Sequence, residues 1–131
     1  MNISPLLRTS VAAIGLVLAA AAAHAGPVLD RVKASQSVRV CIWPDYYGVT
    51  FRNPRTQPLA GIDVDLSAEF GRDLKARVEY VETSFPKLVD DLKADRCDVA
   101  MFAVAVLPAR AAQLAFSKPY LQSDIYGITT K

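Results

Sequence analysis

Apolar and polar positions come in blocks along this chain, and the blocks change period in a regular order. Residues 28–34 have helical spacing, and residues 38–43 then form an apolar run of strand length. Residues 44–61 break the pattern. Proline, glycine and asparagine recur there, and Asn53-Pro54 and Pro58 argue against regular structure, while Trp43, Tyr46, Tyr47 and Phe51 argue against disorder. Leu66, Phe70 and Leu74 follow at a spacing of four behind Asp63 and Asp65, which predicts a helix capped by one of these carboxylates. Arg77–Glu82 alternates as a strand. Phe85, Leu88, Val89 and Leu92 then fall at i, i+3, i+4 and i+7, a second helix with Thr83 or Ser84 at its cap and Pro86 in its first turn. The same spacing puts Asp90 and Asp91 on a solvated face. Residues 98–104 read as a further strand, and 124–130 as a last one.

Strand, helix, strand, helix, strand is the order of parallel strands joined by right-handed crossovers, so the expected class is α/β. In open sheets of this kind ligands sit beyond the carboxyl ends of the strands. That rule brings together residues 43–47, 83–85 and 103–110. Their side chains are aromatic with one cation, Arg110, in the turn that Pro108 begins. Proline suits a first helical turn, whose free amides favour anions, so the segment reads as half of a cleft for a small organic anion.

Residues 1–25 read as a secretory signal. Arg8 supplies the positive flank, residues 11–23 an apolar core too short to span a bilayer, and Ala23-His24-Ala25 a small-x-small cleavage site. Residues 26–131 are then the exported part, soluble and without stable membrane insertion. It carries 14 basic against 13 acidic residues once Arg8 is set aside, so no face is basic enough to argue for nucleic acid. The only histidine, His24, leaves with the signal. Catalysis through Ser-His-Asp or Cys-His arrangements and histidine-ligated metal sites are excluded with it, and no cofactor is implied. Two cysteines, Cys41 and Cys97, remain in an oxidising compartment. A disulfide between them would close a long loop and stabilise the fold by roughly 4 kcal/mol. The alternative is a pair of small apolar fillers on neighbouring buried strands.

Three blocks then resemble the bacterial extracellular solute-binding proteins of family 3, the periplasmic partners of amino-acid ABC importers. They are Gly61-Ile62-Asp63-Val64-Asp65-Leu66, then Arg96-Cys97-Asp98-Val99-Ala100-Met101, then Pro108-Ala109-Arg110 followed by Phe116-Ser117-Lys118-Pro119-Tyr120. The resemblance implies a periplasmic-binding-protein-like lobe with a mostly parallel sheet flanked by helices, ending before the second lobe. It implies a periplasmic protein that is not an enzyme, binds a small carboxylate or amino-acid-like ligand, and delivers it to an ABC permease of the inner membrane. Arg110 takes the place of the arginine that grips the ligand carboxylate, and Tyr46 and Phe85 take the places of rings around the ligand side chain. Trp43 stands where family members often have an acidic residue for the ligand ammonium, and the loop around Ala105 carries no hydroxyl where they have several. Backbone groups of that loop are left to serve, which favours a carboxylate without an α-amine or an aromatic ligand. The same fold also carries cyclohexadienyl dehydratases, and relatives with similarly placed cysteines accompany quinoprotein dehydrogenases. These are the alternatives. One lobe by itself is expected to offer only an open half-site.

Overall fold

A computed structural model describes residues 26–124, 127, 129 and 130. The expected signal over residues 1–25 lies outside them, and the expected strand over 124–130 falls partly on residues 125, 126 and 128, which also lie outside.

The structure begins with helix α1 (Pro27–Ser35), started by its proline and ended where Gln36 turns left-handed at φ 51°. Strand β1 (Ser37–Ile42) follows, and its alternation decides the layering. Val38, Val40 and Ile42 share one face and are buried with Val32 of α1. Phe70 of helix α2 (Ile62–Asp73) and Leu74, which caps its end, pack on the same cluster. Strand β5 (Arg77–Glu82) runs parallel to β1 in register from Ser37 with Arg77 to Ile42 with Glu82. Strand β6 (Val99–Ala100) runs parallel on the other side of β1, giving the order β5-β1-β6. The class is therefore the expected α/β one, with a parallel sheet and helices.

Between β1 and α2 the chain is more regular than its prolines suggest. Strands β2 (Asp45–Tyr46), β3 (Thr50–Arg52) and β4 (Leu59–Ala60) form a small antiparallel sheet. Asn53-Pro54 and Pro58 sit outside the paired residues, in the turn from β3 to β4, where neither proline costs a ladder bond.

Two further departures concern helix starts. Asp63 does not cap α2: the first turn is closed by the Gly61 carbonyl, which accepts the N–H groups of Val64 and Asp65, while Asp63 is turned fully inward. Helix α3 (Leu88–Lys93) begins later than the spacing predicts, because residues 84–87 form a separate turn whose Ser84 carbonyl accepts from Lys87 and Leu88. Thr83 does not cap it either. Its hydroxyl donates to Asp91 Oδ2 at 2.5 Å, which places Asp91 in the interior, 5% exposed, instead of on a solvated face. Arg96 satisfies the other oxygen at 2.7 Å.

The sheet is fixed across its centre by two different bonds. Cys41 points to the face opposite Val40 and is joined to Cys97 by a disulfide that spans 56 residues of sequence. One residue on, Asp98 accepts the Arg39 backbone N–H at 2.8 Å and the Arg39 guanidinium at 2.7 Å, and also pairs with Arg31 of α1. The Asp98 side chain is only 4% exposed.

Candidate functional site

The expected strand over 98–104 stops early, and the reason defines the site. Ladder bonds continue from Asp98 N–H on Arg39 to Met101 N–H on Cys41. Phe102 is then fully buried, and Ala103 adopts φ 50°, a left-handed conformation that turns the chain out of the sheet. The turned Ala103 amide donates to Asp63 Oδ2 at 2.5 Å. Apolar residues 104–107 therefore run as a loop over the carboxyl ends of the strands, up to the short helix α4 (Pro108–Ala111).

Three strand ends meet there. After β1, the Trp43 carbonyl accepts the Tyr46 N–H at 3.3 Å and the buried Thr50 hydroxyl at 2.7 Å, which holds the tryptophan and the β2 turn together. After β5, Thr83 N–H bonds the Ile42 carbonyl and leads directly to Phe85. The rings form a connected group: Trp43 lies 5.6 Å from Tyr46 and 5.3 Å from Phe85, and Phe85 lies 6.0 Å from Tyr46 and 5.0 Å from Phe102. Tilted and edge-on contacts at these distances are the preferred aromatic geometries. The Arg110 guanidinium lies over the Phe85 ring, 5.4 Å from its centroid, and its Nη1 donates to the Ala105 carbonyl at 3.3 Å. A cation on a ring face is worth about 0.5–1 kcal/mol at an exposed site. It also leaves the guanidinium edge beyond Nη1 open for an anion.

All five residues expected at a ligand site, Arg110, Tyr46, Phe85, Trp43 and Ala105, are thus brought into one connected group. Ala105 takes part through its carbonyl, and Phe85 sits on a turn, not on a helix. Sequence reasoning missed four supports: Thr50, Phe102, Asp63 and Asp91. Their types carry no warning, since each is ordinary at an exposed or core position and is recruited only by the tertiary fold. A cavity of about 330 Å³ also borders Trp43, between Asp45, Glu82, Ser84, Lys87 and Arg96. Its charges are mixed and it does not include Arg110, so the ring and guanidinium surface is the better-defined site.

Electrostatics separate the groups around the cleft. Burial by itself raises the Asp98 carboxyl, but the bonds from Arg39 and Arg31 outweigh it and hold the group below the ordinary aspartate range. Asp91 is also held low, chiefly by the Thr83 hydroxyl and then by Arg96 against the opposing effect of burial. Tyr120, from the Phe116–Tyr120 block, is pushed up by burial and by the Asp63 carboxylate beside it, so its phenol stays protonated. Among the described residues no cluster of His, Cys, Asp or Glu could hold a metal ion, and no helix is long and apolar enough to cross a membrane.

A lobe with a parallel sheet and helices is the fold that this chain shares with solved amino-acid binding proteins. The profile of the bacterial extracellular solute-binding proteins, family 3, matches residues 38–131, and the chain belongs to that family. It is similar to a cyclohexadienyl dehydratase of Pseudomonas aeruginosa, 32% identical over 123 residues that cover 94% of this chain and 46% of the relative. It is also similar to a probable amino-acid ABC transporter-binding protein of Haemophilus influenzae, 29% identical over 88% of this chain and 44% of the relative. The chain thus spans under half the length of these curated relatives. Among solved structures, an ancestral cyclohexadienyl dehydratase superposes with TM-score 0.68 at 35% identity, covering 71% of this chain and 38% of that one. A mutant of domain 1 of the T. maritima arginine-binding protein, in its arginine-bound form, superposes with TM-score 0.67 at 26% identity and 71% coverage of both chains.

Proposed function

We propose that residues 26–131 form the N-terminal lobe of an exported solute-binding protein, with residues 1–25 as its signal. The lobe holds a small carboxylate or amino-acid-like ligand in the periplasm for an ABC permease of the inner membrane. The observation that carries this reading is the Arg110 guanidinium laid on Phe85 within the Trp43 and Tyr46 ring group at the strand ends. Guanidinium recognises a carboxylate through paired hydrogen bonds, and the rings supply an apolar wall for a flat or aliphatic side chain.

The loop over residues 104–107 has no side-chain hydroxyl or carboxylate, and Trp43 offers only an indole N–H. On that loop a ligand ammonium would find only backbone carbonyls, and Ala105 already shares its own with Arg110; the carboxylates of Asp45 and Glu82 border the neighbouring cavity beside Trp43 instead. This favours carboxylates without an α-amine, aromatic ones above all. That domain 1 of a similar protein has been solved in its arginine-bound form supports an open half-site with affinity of its own.

The similarity to cyclohexadienyl dehydratases supports a second reading, an enzyme that expels water and carbon dioxide from a cyclohexadienyl acid. The ring group would suit such a substrate. The binding reading is preferred because the ring group carries the Arg110 guanidinium, whereas Asp63 is fully buried.

Thermal shift of the chain with benzoate, phenylpyruvate, arginine and histidine tests both readings. Stabilisation by a carboxylate that disappears in Arg110→Ala is expected, with affinity lowered about thirtyfold, as befits a lost charged hydrogen bond. Unchanged stabilisation in that variant would remove Arg110 from the site. Growth of aromatic absorbance on incubation with a cyclohexadienyl acid would favour the enzyme.

A further inference from the structure

Asp63 is fully buried, and its carboxylate is unevenly used: Oδ2 accepts the Ala103 amide, while Oδ1 has no hydrogen bond among the described residues. Such a group is a poor way to stabilise a fold, since an apolar side chain of similar size at a buried charged position is often neutral or better. What it does is local. It takes the one amide that faces away from the sheet because Ala103 is left-handed, a conformation in which alanine is disfavoured.

The residue before Ala103 is Phe102, whose ring packs on Phe85, which in turn packs on Trp43 and carries the Arg110 guanidinium. A continuous chain of contacts therefore runs from the start of α2 to the ring and guanidinium group.

We propose that Asp63 is a positioning residue for the cleft: by holding the Ala103 amide it fixes the turn that sets Phe102, Phe85 and, through them, Arg110. This rests on the reading of that group as a ligand site, but its test does not. Trp43 is the single tryptophan and so reports the ring group optically. The full chain and its Asp63→Ala, Asp63→Asn and Asp63→Ala/Ala103→Gly variants are compared by amide hydrogen exchange and tryptophan emission, with no ligand added.

In Asp63→Ala the Ala103 amide should exchange at least tenfold faster and Trp43 emission should move to the red, while the amides of Val40 and Ile42 stay within twofold. Asp63→Asn keeps an acceptor oxygen and should lie between wild type and Asp63→Ala. The added glycine takes the left-handed turn without penalty, so the double variant should recover most of the wild-type emission. Equal acceleration at Val40 and Ile42, an Ala103 amide still protected in Asp63→Ala, or an unmoved Trp43 would each overturn the proposal. Should Asp63→Ala fail to fold, Asp63→Asn carries the same comparison. Failure of every ligand in the thermal-shift panel would count against the binding reading and leave these readouts as they are.

Discussion

The sheet around β1 and the loop after β6 are adjoining parts of one lobe, yet they are held by opposite means. At β1 the constraints are redundant: a parallel ladder on each side, a disulfide from Cys41, and an ion pair from Arg39 to a nearly enclosed Asp98. Beyond Met101 the chain leaves the ladder and is held by scattered contacts, the Phe102 ring on Phe85, the Ala103 amide on Asp63, the Arg110 guanidinium on Phe85 and Ala105, and Lys93 donating to Gln113. Val106 and Leu107 are large apolar residues left exposed in that loop, as Val28, Ile62 and Leu66 are on the helices of the scaffold. A densely braced scaffold can carry a more sparsely held surface, which is how a binding face retains capacity for a partner.

The largest way to test the contrast is to remove the disulfide. Cys41→Ala with Cys97→Ala should cost roughly 4 kcal/mol from the loop closure alone, read from urea unfolding with and without reductant. A loss under about 1 kcal/mol would mean that the ladder and the Asp98 pair already fix β6 without it. Next comes the ion pair. Asp98→Ala leaves two arginines facing a buried gap and should cost about 3 kcal/mol.

Asp98 and Asp91 also set a pH response. Both carboxyls are held below their ordinary value in the folded chain, so the unfolded chain binds protons first as the pH drops. Their contribution is present above the unfolded value near 3.8 and drains as pH falls through the folded values. Thermal midpoints measured from pH 6 down should be flat until about pH 4 and then fall, with a shallower fall in Asp98→Asn.

The same contrast governs what could be read from the chain before its fold was known. β1, α2 and β5 are legible because their alternation or fourfold spacing reports burial directly, and the convergence of Trp43, Phe85 and Arg110 follows from the strand-end rule. Asp63, by contrast, stands two residues from Asp65 at a helix start, where capping is the ordinary role. Only the placement of Ala103 against it reveals the other one. Asp91 is hidden for the same reason, since its partners Thr83 and Arg96 lie outside its own helix. The strand end at Met101 was illegible for a sharper reason. Residues 99–107 read as one apolar run, and the turn falls on an alanine, which carries no signal for positive φ where a glycine would have announced it.

That alanine supplies the smallest and most discriminating test. Gln36, Lys75 and Asp95 also have positive φ, but each follows a helix, where a left-handed residue closes the last turn. Ala103 ends a strand, and its conformation is set by the Asp63 bond. Alanine in that conformation costs about 1–2 kcal/mol, and glycine gives back about 0.5–1 kcal/mol through the entropy of the unfolded chain. Ala103→Gly should therefore stabilise the lobe by about 0.5 kcal/mol in urea unfolding, with Trp43 emission unchanged. The β1 scaffold should answer differently: Val40→Ala, in the fully buried face, should cost about 2 kcal/mol and gain nothing. If Ala103→Gly were instead destabilising by that amount, the loop would be held by its side-chain packing as the sheet is, and the division between a densely braced scaffold and a sparsely held cleft would not stand.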